Sequence, residues 1–212
     1  MSHNEKYKIW HKPQKEVLTA EGNLKKGTTR QGYLHEKYTL NAPQKYIGNP
    51  KLIIYRSGWE LSFCKWCDCS PSIVRWSSEP IRVPYYDRVS KLDANKKLGL
   101  DPNNPKNWIT KFYNVDYWAE IKKPDGTIEK WFIEIKPANK LKKPIPPKND
   151  APLKDIKRYN LAVKEYLINE AKFAAMNEWA RIHNSKFYIF TDIQLIKMGI
   201  IHGKFDNEGK RR

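Results

Sequence analysis

The chain has 212 residues, 40 Lys and Arg against 23 Asp and Glu, and a formal net charge of +17. That length gives one domain with a sizeable core plus an arm or insertion, and so basic a protein is expected to meet a polyanion, nucleic acid in preference to an anionic membrane. No apolar run approaches about 18 residues and the start Met1-Ser2-His3-Asn4-Glu5-Lys6 has no apolar signal core, so neither a spanning helix nor secretion is expected and the chain reads as cytoplasmic.

Residues 1–50 are polar and punctuated by Pro13, Gly22, Gly27, Gly32, Pro43, Gly48 and Pro50, with nine Lys and Arg against four Glu. They read as an extended basic arm, lying on phosphates or a partner, or simply solvated. Residues 51–212 form the folded domain. Trp59, Phe63 and Trp66 recur at helical spacing between Ser57 and Cys69. Cys64, Cys67 and Cys69 fall in this helix; an odd, closely spaced set opposes a disulfide framework. A zinc site would need a distant His183 or His202, and small reduced residues packed on the helix are the simpler reading.

Ile73–Trp76 and Ile81–Tyr85 read as short strands, and 87–108, rich in Asp, Asn, Lys and Pro, as a loop insertion. Two strand-like runs follow, Phe112–Trp118 and Trp131–Lys136, joined across Lys122–Thr127, where Asp125-Gly126 supplies a hairpin turn. Lys140–Lys148 is a basic, proline-stiffened connector. Helical periodicity spans about 155–184, Phe187–Thr191 is a buried strand, and Gln194–Met198 a short closing helix. The order predicts an α/β fold, a mixed sheet with helices packed on it.

On Trp131–Lys136, Ile133 and Ile135 share one side and Glu134 and Lys136 the other. The hairpin brings Asp116 towards Glu134, with Lys136 beside them: two hard oxygen donors and an amine, the parts of metal-assisted phosphodiester hydrolysis. Taken singly, each admits a bland alternative, a solvated charge on a hairpin face. Glu60 has two readings. With Ser57 it completes a helix-capping pattern, and it also stands where a third carboxylate could approach the site.

Asp116, then Glu134-x-Lys136, with Glu60 ahead, resembles the PD-(D/E)xK nuclease superfamily. More narrowly, the run Asn41–Asn49, Tyr55–Glu60, Trp76–Glu79 and Ile133–Pro137 resemble the head-completion nucleases of T-even-type tailed phages, with the endonuclease subunit of heteromeric transposons similar over the same core. The likeness covers about 41–193; the family's usual proline before the first acid is replaced by Val115, which donates no ligand. The resemblance implies a restriction-endonuclease-like core. It implies Mg²⁺, with Mn²⁺ as a substitute, held by Asp116, Glu134 and the Ile135 carbonyl. Glu60 would hold a second ion or its water, and Lys136 would orient the attacking water. Ser78 and Glu79 are explained equally well as turn residues.

The function expected is metal-dependent cleavage of double-stranded DNA at phage head completion, in the host cytoplasm or the particle, with portal, neck or capsid partners. The alternatives are a transposon-end or restriction-like endonuclease, or a structural neck or capsid-closing protein that keeps the nuclease fold. Lys111, Lys122, Lys123, Lys140, Lys142 and Lys143 are the expected phosphate contacts, with Lys25, Lys26 and Arg30 of the arm.

Overall fold

The computed structural model describes residues 38–50, 53–90, 99–101 and 103–202. In chain order its main elements are α1 (Gly58–Cys69), β1 (Ile73–Ser78), β2 (Arg82–Asp87), β3 (Ile109–Asn114), β4 (Tyr117–Lys122), β5 (Ile128–Ile135), α2 (Leu153–Ile182), β6 (Lys186–Phe190) and α3 (Asp192–Lys197). Four strands form one mixed sheet in the order β1-β4-β5-β6; β2 and β3 form a separate ribbon. Pairing is antiparallel from β1 through β5 and parallel between β5 and β6. A parallel neighbour needs a long crossover, and α2 supplies it.

Both faces of the sheet are covered. Tyr117, Ala119, Ile121, Ile133 and Ile135 pack with Phe63, Cys64 and Cys67 of α1 and with Leu195 of α3. The opposite face places Trp118 and Phe132 against Val83, Tyr85 and Tyr113 of the ribbon and Met176 and Ala180 of α2. Each large apolar side chain so enclosed contributes roughly 1.5–3 kcal/mol. The cysteines take the structural role: Cys64 and Cys67 are buried, and Cys69 is exposed.

The expected helices and strands lie close to their observed positions, with three instructive differences. The aromatic run Phe112–Trp118 is two strands, since the chain turns at Val115-Asp116 and passes from the ribbon into the main sheet. Period-two reasoning cannot see this, because the pattern continues through the corner. Of the expected arm, residues 1–37 lie outside the described part, as do Lys25, Lys26 and Arg30. Its last stretch is attached to the core, with Tyr46 buried against Trp76 at a ring-centre distance of 4.8 Å. Of the 87–108 insertion, 91–98 and 102 also lie outside the described residues, while Ile109–Phe112 begins β3 earlier than its sequence pattern suggests.

Asp68 explains why the 38–46 stretch is fastened. Its carboxylate accepts hydrogen bonds from Tyr38 Oη, from the Asn41 and Ala42 amides, and from Asn41 Nδ2. Lys45 Nζ then donates to the carbonyls of Asp68 (3.2 Å) and Ser70 (2.8 Å) at the end of α1, where helix carbonyls lack intrahelical donors. The Asn41–Asn49 motif is therefore a clasp that closes α1.

Candidate active site

Asp116 lies at the corner between ribbon and sheet, immediately before β4, and Glu134 near the end of β5. Tyr117 pairs with Ile133, so the antiparallel register sets Asp116 beside Glu134. The contact follows: the Ile135 amide donates to Asp116 Oδ2 at 2.8 Å. The Asp116 carbonyl accepts from the Glu79 amide at 2.8 Å, and Glu79 has a left-handed φ of 41°. A non-glycine residue held there costs free energy, so the turn after β1 is constrained by its grip on the peptide that carries Asp116.

Glu134 is only 2% exposed. It is therefore no solvated charge on a hairpin face: Glu134 points to the sheet face covered by α2 and the ribbon. It is held by the Tyr113 hydroxyl, which donates to Oε2 at 2.5 Å, and by Lys136 Nζ, 2.8 Å from Oε1. Burial, then Glu134 and Glu60, push the half-buried Asp116 carboxyl well above the usual range; the Ile135 amide and Lys136 offset this only in part. For Lys136, burial pulls the ammonium down, yet Glu134, Asp116 and Glu60 outweigh it and hold it above its ordinary value. Asp116, Glu134 and Glu60 thus act on one another and on Lys136 across one pocket.

Glu60 approaches from α1. Ser57, with extended φ −145° and ψ 161°, caps the helix by accepting from the Glu60 amide. The Glu60 carboxylate accepts in return from Ser57 Oγ at 3.0 Å and from the Arg56 amide at 2.7 Å. Both oxygens are therefore used in capping. Burial raises its carboxyl, with Glu134 adding to the rise against the Arg56 and Ser57 hydrogen bonds, so it also feels the site. A cleft of ≈ 530 Å³ opens between Gly58, Glu60, Ile135, Lys136 and Lys140. Among the described residues no three His, Cys, Asp or Glu side chains form a ready metal cage. Asp116 and Glu134 could instead supply the one or two carboxylates that suit Mg²⁺, which retains much of its water.

Two neighbours were not legible in the sequence. Tyr113 looked like one more strand aromatic, and only the ribbon's fold-back brings its hydroxyl to Glu134. Lys172 of α2 lies with Nζ 5.5 Å from the Tyr113 ring centre and 5.9 Å from that of Tyr85. Burial and the nearby Lys136 pull its ammonium below the ordinary lysine value. On the same helix face, three residues earlier, Asn169 is buried with Nδ2 lacking a hydrogen-bond partner.

The expected phosphate-binding lysines separate into groups. Lys142 and Lys143 are exposed on the connector. Lys140 lines the cleft but is paired with Glu165 at 2.8 Å. Lys111 is committed to buried Asp87 at 2.7 Å and to Ser90 Oγ at 2.7 Å, so it is not a free cation beside the site. Lys122 and Lys123 lie at the far end of the hairpin, about 20 Å along β4 from Asp116 at ~3.3 Å per residue. Among the described residues, then, only Lys140 of these six lines the cleft.

The family model described as TnsA-like endonuclease N terminal matches residues 70–192, a span holding Asp116, Glu134 and Lys136. A head completion nuclease of Enterobacteria phage T4 is 30% identical over 155 residues, covering 73% of this chain and 89% of that protein. No solved structure matches. Among the described residues no helix is long and apolar enough to cross a membrane.

Proposed function

This chain belongs to the TnsA-like endonuclease family, and from that premise we propose that it is a metal-dependent DNA endonuclease that works at phage head completion after DNA packaging. The observation that carries the proposal is the convergence of Asp116, Glu134 and Lys136 in one pocket, with Glu60 nearby. Clustered carboxylates of this kind suit a divalent cation.

Asp116, Glu134 and the Ile135 carbonyl would hold Mg²⁺, or Mn²⁺ in its place. When bound, the ion supplies Lewis-acid polarisation of the scissile phosphate and a more acidic attacking water. Tyr113 fixes one Glu134 oxygen and Lys136 the other, so the carboxylate keeps one orientation. Lys136, charged throughout the working pH range, orients the water and offsets charge on the phosphate. Glu60 remains at the cleft wall as the third acid.

Coverage of 89% of the phage T4 head completion nuclease supports the head-completion role over a transposon-end role, for which the family model is the support. A DNA-packaging context brings with it portal, neck or capsid partners in the host cytoplasm or the particle. The test is plasmid cleavage with Mg²⁺, Mn²⁺ or chelator, comparing wild type with Glu134→Gln and Lys136→Ala. Glu134→Gln is chosen because the side chain is buried and must keep its shape. Cleavage should require the ion and fall by at least about 100-fold in both variants, the scale of losing a positioned catalytic group. Cleavage at the wild-type rate by either folded variant refutes the assignment.

A further inference from the structure

The β2–β3 ribbon has an outward face that its environment does not account for. Val83, Tyr85, Asp87 and Tyr113 turn inward and are buried. The other face carries Arg82, Pro84 and Tyr86 opposite Asn114, Phe112 and Thr110. A ribbon with one covered face normally presents polar side chains on the other. Here Phe112 is 56% and Tyr86 65% exposed. Arg82 Cζ lies 5.0 Å from the Phe112 ring centre, and Tyr86 and Trp108 have ring centres 6.3 Å apart. None of the six residues is acidic.

The Arg82–Asn114 end of this face is the end nearest Asp116, which follows Asn114 by two residues. Arg82 pairs with Asn114, Asn114 Nδ2 donates to Glu79 Oε2 at 3.3 Å, and the Glu79 amide donates to the Asp116 carbonyl at 2.8 Å. Phe112 and Tyr86 are diagonal neighbours, roughly 7–8 Å apart along the ribbon. Exposed aromatics at such intervals, with an arginine among them, accept base faces, which all four bases possess. In a continuous duplex those faces are hidden by stacking. Nor can the ribbon enter a major groove freely, because α2 occupies its inner side. The net charge of +17 and the absence of acids on the face favour nucleic acid over a protein occupant.

Resting on the nuclease reading, we propose that this face is a stacking platform for unpaired bases, so that the DNA taken by the site includes a single-stranded or frayed segment running from the acidic pocket along the ribbon. Continuous duplex alone is then an incomplete substrate.

The test measures binding of the full chain without divalent metal to a labelled single strand, a blunt duplex, and a duplex with an overhang. The variants are Phe112→Leu with Tyr86→Leu, which keeps apolar bulk and removes the ring faces, and Phe112→Tyr with Tyr86→Phe, which keeps both rings. The leucine pair should weaken single-strand and overhang binding by about tenfold or more, and blunt-duplex binding by no more than about twofold. The aromatic pair should bind as wild type does. Unchanged single-strand affinity in the leucine pair, or an equal loss on all three DNAs, overturns the platform. So does loss of a protein partner alone, with DNA binding intact. Far-UV circular dichroism checks folding, and Phe112→Leu alone carries the test if the pair does not fold. Mg²⁺-dependent plasmid cleavage by wild type is measured alongside. Cleavage with an unaffected leucine pair leaves the nuclease standing and removes the platform, whereas no binding and no cleavage of any DNA removes both.

Discussion

At the scale of single residues, Glu60 and Ser57 separate two jobs within one turn of helix. Ser57→Ala removes the cap hydroxyl and should cost about 1 kcal/mol in denaturant unfolding. It should leave most of the cleavage activity, because Glu60 keeps its carboxylate. Glu60→Gln keeps much of the cap geometry, so a fall in cleavage without a comparable loss of stability would mark the carboxylate as part of the site. Equal activity in Glu60→Gln and wild type would leave Glu60 a cap only. Asp68 offers a pH test away from the pocket. Burial pushes its carboxyl up, but hydrogen bonds from Asn41, Tyr38 and Ala42 outweigh this and hold it below the usual range. Its stabilisation is therefore complete above the unfolded carboxyl value of about 4 and is lost as pH falls through the lower folded value. Asp68→Asn should cost about 1–3 kcal/mol near neutral pH. The gap from wild type should close as the pH is taken below about 4. A gap independent of pH would show that the charge does not do the fastening.

Among the described elements, the connector between β5 and α2 carries the lysines we propose to meet DNA. Lys142 and Lys143 are exposed, whereas Lys140 is paired with Glu165. Replacing all three by Ala should flatten the salt slope of DNA binding by about 2, approaching 3 if DNA displaces Glu165 from Lys140. Titrating a labelled duplex at several salt concentrations without divalent metal measures this, and an unchanged slope would mean the connector does not touch DNA. Lys122→Ala with Lys123→Ala should change the slope far less, because the hairpin tip lies at the other end of β4 from Asp116. The register that joins Asp116 to Glu134 is what sends those lysines away.

For the whole molecule, a cation held by the proposed ligands Asp116 and Glu134 should stabilise the folded chain. At 100 times its dissociation constant, Mg²⁺ should add about 2.7 kcal/mol and raise the melting temperature. Chelator should reverse the gain, and Asp116→Asn should lose most of it. A wild-type melting curve indifferent to Mg²⁺ and Mn²⁺ would count against a metal site, whatever the variants do in cleavage.

The local sequence determined much of this. The Ser57 cap with Trp59, Phe63 and Trp66 at helical spacing placed α1, Asp125-Gly126 placed the hairpin turn, and that turn fixed the register setting Asp116 beside Glu134. These are short-range constraints, written in neighbouring residues and in backbone conformations few residue types adopt. The Asp116, Glu134 and Lys136 triplet was legible for the same reason, and the family resemblance was carried by it together with the short runs Asn41–Asn49, Tyr55–Glu60 and Trp76–Glu79. Tertiary structure decided the rest. Alternation along β5 told that Glu134 and Lys136 share a face, but not that α2 and the ribbon cover it, since the covering residues come from distant segments. For that reason Glu134 is buried, Tyr113 and Lys172 stand at the site, Lys111 belongs to Asp87, and Phe112 and Tyr86 remain exposed.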